Sequence, residues 1–82
     1  MLMVEVHVPS MGATYQCSLE EDAEICDVIE DIIDLIHQKE NVTFHGDIRE
    51  ILFCSQEQGI IFDRTSTLSN YGVSFGEELL LI

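Results

Sequence analysis

Apolar and polar residues alternate from the start of the chain. In residues 1–8, Val4, Val6 and Val8 share one face and Glu5 and His7 the other, the period of a half-buried strand. Residues 9–13 (Pro-Ser-Met-Gly-Ala) break the alternation. It resumes over residues 14–19 with Tyr15, Cys17 and Leu19 inward, so the two segments are expected to form a hairpin across a short glycine-containing loop. The period then lengthens. Ile25, Val28, Ile29, Ile32, Leu35 and Ile36 recur at three- and four-residue spacing and predict a helix with one buried stripe. Asp22 is the expected N-cap, because a carboxylate there accepts from free amides at the positive end of the helix dipole. Asn41 suits the C-cap, and Lys39 the negative end.

Beyond the helix, Phe44 is expected to plug the core beneath the connecting loop. Residues 50–55 (Glu-Ile-Leu-Phe-Cys-Ser) predict a third strand with neither face wholly solvated. Residues 56–59 turn, and 60–63 form a short fourth strand. In the last eighteen residues, 65–82, Leu68 is an isolated apolar anchor and Asn70-Tyr71-Gly72 has turn chemistry. Val73 turns inward, residues 75–78 form a second turn, and residues 79–82 form a strand. The sum is an α+β fold with a mixed sheet of about five strands on one helix, in the order strand-strand-helix-strand-strand-strand. Residues 1–82 make a single domain, too short for two cores.

Charge narrows the function. Sixteen acidic residues oppose Lys39, Arg49 and Arg64, for a net charge of −13. Nucleic acid and bare anionic membrane are therefore poor partners. Solubility is the plain reading of such a surplus, and a basic protein surface is the other. On the helix, Asp27, Glu30, Asp31 and Asp34 fall opposite the apolar stripe. A solvated face is the default there, a docking face for a basic partner the alternative, and metal binding the weakest reading, because no histidine joins these carboxylates on a convex surface. Cys17, Cys26 and Cys54 contain no CxxC pair, which argues against disulfides and structural zinc. His7, His37 and His45 are scattered over a strand, a helix end and a loop. No nucleophile and base are spaced for catalysis, and the expectation is a non-enzyme without cofactor or metal. With no apolar run long enough for a membrane span and no signal-peptide start, the expected location is cytoplasmic.

Element order, with Ile51-Leu52-Phe53, then Thr67-Leu68-Ser69-Asn70-Tyr71-Gly72-Val73, then the strand of residues 79–82, resembles the ubiquitin-like β-grasp superfamily. Within it, residues 68–82 are similar to the ending of the YukD-type, or EsaB, bacterial proteins, small accessory components of type VII secretion systems. The resemblance implies a third strand, a buried tyrosine, an apolar anchor and a final strand. It also implies that Ile51, Leu79 and Leu81 face the core while Leu52, Leu80 and Ile82 face outward, with Met11 at the edge of that group. In ubiquitin the equivalent face is the main docking patch. Met11, Leu52, Leu80 and Ile82 are thus the expected protein-binding residues.

The resemblance further implies a non-conjugated adaptor, a monomer or weak homodimer, contacting a secretion-system membrane or ATPase subunit. The alternative is a ubiquitin-like carrier or modifier, either a sulfur carrier or a conjugated tag. That chemistry uses a C-terminal Gly-Gly, which does not occur here before Ile82. An intact mass exceeding that of residues 1–82 would revive it.

Overall fold

The computed structural model describes residues 1–42 and 45–82. Alternation sets the first two strands, β1 (Leu2–Val8) and β2 (Ala13–Leu19). They pair antiparallel, with Val4 opposite Cys17 and Val6 opposite Tyr15. Pro9–Met11 between them is a single 3₁₀ turn. Proline suits its first position because the missing N–H would be unsatisfied there anyway. Gly12 closes the turn at φ 59°, where a side chain would strain the backbone.

The helix α1 (Ile25–Glu40) buries Ile25, Val28, Ile29, Ile32 and Ile36 and leaves Leu35 half-buried. Its C-terminus is as expected: Asn41 adopts φ 52° and donates its N–H to the His37 carbonyl at 2.9 Å. Its N-terminus is not. Asp22 lies outside the cap position, which Glu24 occupies without a side-chain bond. The free amides of Ile25 and Cys26 donate instead to the Ser66 and Arg64 carbonyls, at 2.9 and 3.0 Å. A distant stretch of backbone thus does what a side-chain cap would do. Asp22 accepts from the Ser69 hydroxyl at 2.9 Å and ties the helix entrance to the same stretch.

The expected position of Phe44 lies outside the described residues. Next, Ile48–Glu50 forms a 3₁₀ turn where a strand was expected to begin, because the Asp47 carboxylate accepts from the Arg49 N–H at 2.9 Å and pairs with its guanidinium. The third strand, β3, is therefore only Phe53–Ser55, although Leu52 still exchanges two backbone bonds with Ile82, at 3.0 and 2.9 Å. A turn leads to β4 (Ile60–Ile61), shorter than the sequence suggests, and the last strand is β5 (Glu78–Leu81).

The sheet order is β2-β1-β5-β3-β4, with β1 and β5 parallel and the other pairs antiparallel. The final strand therefore lies at the centre. Its Leu79 and Leu81 join Val4, Val6 and Phe53 on the face that receives the helix. Leu68 is fully buried, and its carbonyl accepts from both Tyr71 and Val73. Tyr71 is half-buried, not fully buried, because its hydroxyl reaches outward to accept the Asp63 N–H at 2.9 Å.

Arg64 fastens the 3₁₀ turn to this core. Its guanidinium donates to the carbonyls of Ile48 and Ile51, at 2.7 and 2.5 Å. Arg64→Ala leaves both acceptors without that donor and is expected to cost about 1–3 kcal/mol. Urea unfolding should show a lower midpoint at unchanged slope; an unchanged midpoint would mean that water serves the two carbonyls equally well.

Candidate docking surface

With one helix covering one face, the sheet's other face meets solvent. Backbone alternation decides which side chains appear there. Ile51, Phe53, Leu79 and Leu81 point toward the helix, so Leu52, Cys54, Leu80 and Ile82 point away. Pairing then sets them side by side. Leu52 lies opposite Ile82, Cys54 opposite Leu80 on one side and opposite Ile61 on the other. Leu52, Ile61 and Ile82 are 43%, 60% and 61% exposed, and Leu80 and Cys54 are half-buried. The result is a continuous aliphatic surface across three strands.

Ile61 belongs to this group and was not foreseen. Alternation in the Ile60-Ile61 pair says that one isoleucine faces outward, but only the register says that Ile61 adjoins Cys54, across which Leu80 lies. Met11 sits differently. Its sulfur is 3.8 Å from the Tyr15 hydroxyl, which donates to the Glu40 carboxylate at 3.2 Å. Met11 and Ile82 border a groove of about 120 Å³ with Ile33, Ile36 and Ile51. Met11 therefore continues the surface around the end of the sheet toward the helix. Phe75, 79% exposed, precedes β5 and lies near the start of β1, where Gly76 donates to the Met3 carbonyl.

Acid borders the aliphatic group on one side. Glu5 lies opposite Glu78 and His7 opposite Leu80, and Glu5, His7 and Glu78 line a recess of about 270 Å³ with Thr14, Gln56 and Leu79. His7 Nδ1 is 3.0 Å from the Thr14 hydroxyl. The helix carboxylates Asp27, Glu30, Asp31 and Asp34 are all exposed, but α1 covers the inner face, so they lie on the opposite side of the domain. The aliphatic surface and the acidic helix are two separate surfaces.

Two of the three histidines come together. His37 and His45 line one open groove of about 340 Å³ with Ser10 and Met11. His37 Nδ1 contacts the Val42 carbonyl, and among the described residues no hydroxyl or thiol is hydrogen-bonded to either ring. The groove lies at the surface and not within the core. Glu24, Cys26 and Asp27 place potential ligand atoms within 4.8 Å of one another at the helix entrance. Partial burial, the hydrogen bond to Glu24 and the charges of Asp27 and Glu24 all push the Cys26 thiol above its ordinary range, which keeps it protonated at neutral pH. Burial raises Cys17 and Cys54 as well. Among the described residues no helix is long and apolar enough to cross a membrane.

No protein-family model and no curated protein matches this sequence. Solved structures do resemble it. The ubiquitin-like domain of Plasmodium falciparum Dsk2 is 20% identical with a TM-score of 0.71, over 98% of this chain and 93% of that one. The ubiquitin-like domain of the Arabidopsis thaliana protein At2g32350 is also 20% identical, with a TM-score of 0.70 over 99% and 74% of the two chains. A chain of the toluene 4-monooxygenase HD complex with 4-bromobenzoate is 11% identical with a TM-score of 0.78, over 98% and 94%. The same fold thus serves within an enzyme complex as well as in ubiquitin-like domains. One helix on a five-stranded mixed sheet, in this order and with these neighbours, is the ubiquitin-like β-grasp fold.

Proposed function

We propose that this chain is a non-conjugated, protein-binding adaptor that docks through Leu52, Leu80 and Ile82, extended by Ile61 and by Met11 at the rim. The observation that carries this reading is the continuity of the aliphatic surface across β3, β4 and β5. Several exposed aliphatics placed together on a small domain favour a contact with another protein. The area suits a transient contact more than an obligate one. The acidic surface supports a protein partner over nucleic acid.

The likeness of residues 68–82 to the YukD-type ending supports a more specific role: an accessory or regulatory component of a bacterial type VII secretion system, working in the cytoplasm. Its partner would be a membrane or ATPase subunit of that machine. The chain itself performs no catalysis, takes no cofactor and does not insert into membrane.

Leu52 and Ile82 are the residues to change, being more exposed than Leu80. Affinity isolation from the host with the native chain is expected to retain a secretion-system subunit. A Leu52→Asp/Ile82→Asp chain with the native circular dichroism spectrum should lose it, by roughly 30-fold or more in affinity if these are hot spots. Undiminished capture by the folded variant overturns the surface. Specific capture of a partner from unrelated machinery overturns the secretion role and leaves the surface standing.

A further inference from the structure

The edge of the sheet at β2 offers a second site, independent of the aliphatic face. Glu5 donates its N–H to the Glu77 carbonyl at 3.1 Å, and the Met3 carbonyl accepts from Gly76 at 2.7 Å. Backbone groups of the odd-numbered residues of β1 therefore face β5, and those of Leu2, Val4, Val6 and Val8 face β2. By register the latter pair with Leu19, Cys17, Tyr15 and Ala13. Thr14, Gln16 and Ser18 are left aiming their N–H and C=O groups at the free side of β2, and no described residue takes them. All three are exposed.

This edge lacks the usual protection. Proteins guard an open edge with charges, proline, bulges, brevity or a covering element. The opposite edge, β4, is only two residues long, whereas β2 runs for seven residues without a charge, a proline or a bulge in its pairing. Such a strand is a template for another.

Charge selects the occupant. A second copy would place Gln16 opposite its equivalent, but each copy brings a net charge of −13. On the helix, Lys39 lies near enough to Cys17 for its charge to act on that thiol. Leu35 and Asp31 lie one and two turns earlier on the same flank, and Asp27 and Asp34 lie farther round. A strand added to β2 would set its inward side chains over half-buried Leu35, with carboxylates around it and Lys39 as the one cation of that flank. We propose that the free edge of β2 accepts an extended segment of a positively charged protein partner, in which apolar residues alternate with Lys or Arg, as an added sheet strand.

The test uses a capped peptide of alternating Lys and Val, as long as β2, and its Glu/Val counterpart. Amide exchange is read by NMR on the full chain. The basic peptide should slow exchange at Thr14, Gln16 and Ser18 by roughly tenfold or more, the acidic one not at all. Gln16→Pro removes the central outward N–H and sets its ring on the free side, where no bond to β1 is lost, so it should abolish the effect while the protein stays folded. Exchange unchanged by the basic peptide overturns the proposal. So does protection confined to the Leu52 face. Protection already present in the free protein, with a doubled mass in sedimentation, assigns the edge to a second copy and overturns it too. None of these readouts depends on the partner proposed for the aliphatic face.

Discussion

Phe62→Ala is expected to cost about 3–5 kcal/mol, the usual penalty for deleting a buried aromatic ring. Phe62 is only 4% exposed although it lies just beyond the shortest strand. Its ring meets Phe53 edge-on at 5.4 Å and Tyr71 at 4.9 Å, linking β3 to the Asn70-Tyr71-Gly72 turn. The contacts are supported by backbone, since the Phe62 N–H donates to the Phe53 carbonyl at 2.9 Å and the Tyr71 hydroxyl holds the N–H of Asp63. Losing the ring leaves a cavity among groups fixed from three directions, so collapse offsets little of the cost. A domain of this size has about 5–15 kcal/mol of stability, so thermal unfolding should drop by tens of degrees or lose its cooperative transition. Phe62→Leu, which refills part of the space, should lose clearly less. Equal losses for the two substitutions would mean that ring packing is not the main contribution.

Glu77→Gln is expected to cost about 2–4 kcal/mol at neutral pH, because it replaces an all-acceptor group in a site built from donors. Glu77 is 5% exposed. One carboxylate oxygen accepts from the Ser55 hydroxyl at 2.7 Å and the Gln58 amide at 3.1 Å, and the other from the Ser74 N–H at 3.0 Å. Burial pushes this carboxyl up, but the three hydrogen bonds together outweigh it and hold the group below its ordinary range. A carboxyl depressed in the folded state contributes stability that is fully present above the unfolded value, about 4.3 for glutamate, and is lost as pH falls through the lower folded value. The gap in urea midpoint between the native chain and Glu77→Gln should therefore be widest near neutrality and close below about pH 4. Asp47 and Asp63 are also depressed, by bonds to Arg49 and to Thr65, but both chains share them and they cancel in the comparison. A gap that stays constant with pH would show that the substitution acts through shape alone.

Legibility in the sequence followed the range of the forces involved. The alternation of Val4, Val6 and Val8, the stripe from Ile25 to Ile36 and the Asn41 cap are short-range patterns, and each matches the folded chain. The helix start was not legible from Asp22, because the amides there are satisfied by carbonyls some forty residues further along the chain, at Arg64 and Ser66. β3 begins late because one local pair, Asp47 and Arg49, holds a turn that hydropathy does not reveal. Among the surface residues, the outward direction of Leu52, Leu80 and Ile82 came from the strand alignment that the ubiquitin-like resemblance implies, and the folded chain has them outward. The inclusion of Ile61, the turn of Met11 around the sheet end and the meeting of His37 with His45 depended on pairing and loop path. Glu77 was read only as part of a turn. Its position between Ser55 and Ser74 becomes visible once β5 is placed beside β3.

The central place of β5 also governs how the fold can arise. The β1–β2 hairpin and the β3–β4 pair each join segments close in sequence, but neither touches the other without Glu78–Leu81 between them. Val6 must find Leu79, across nearly the whole chain, before the helix has a continuous sheet to lie on. Closure over so long a loop is entropically slow, so assembly is expected to be late and all-or-none. A nascent chain that has not yet released β5 would hold two unjoined halves with bare inner faces. During that interval it would depend on chaperones or on its own negative charge to avoid aggregation.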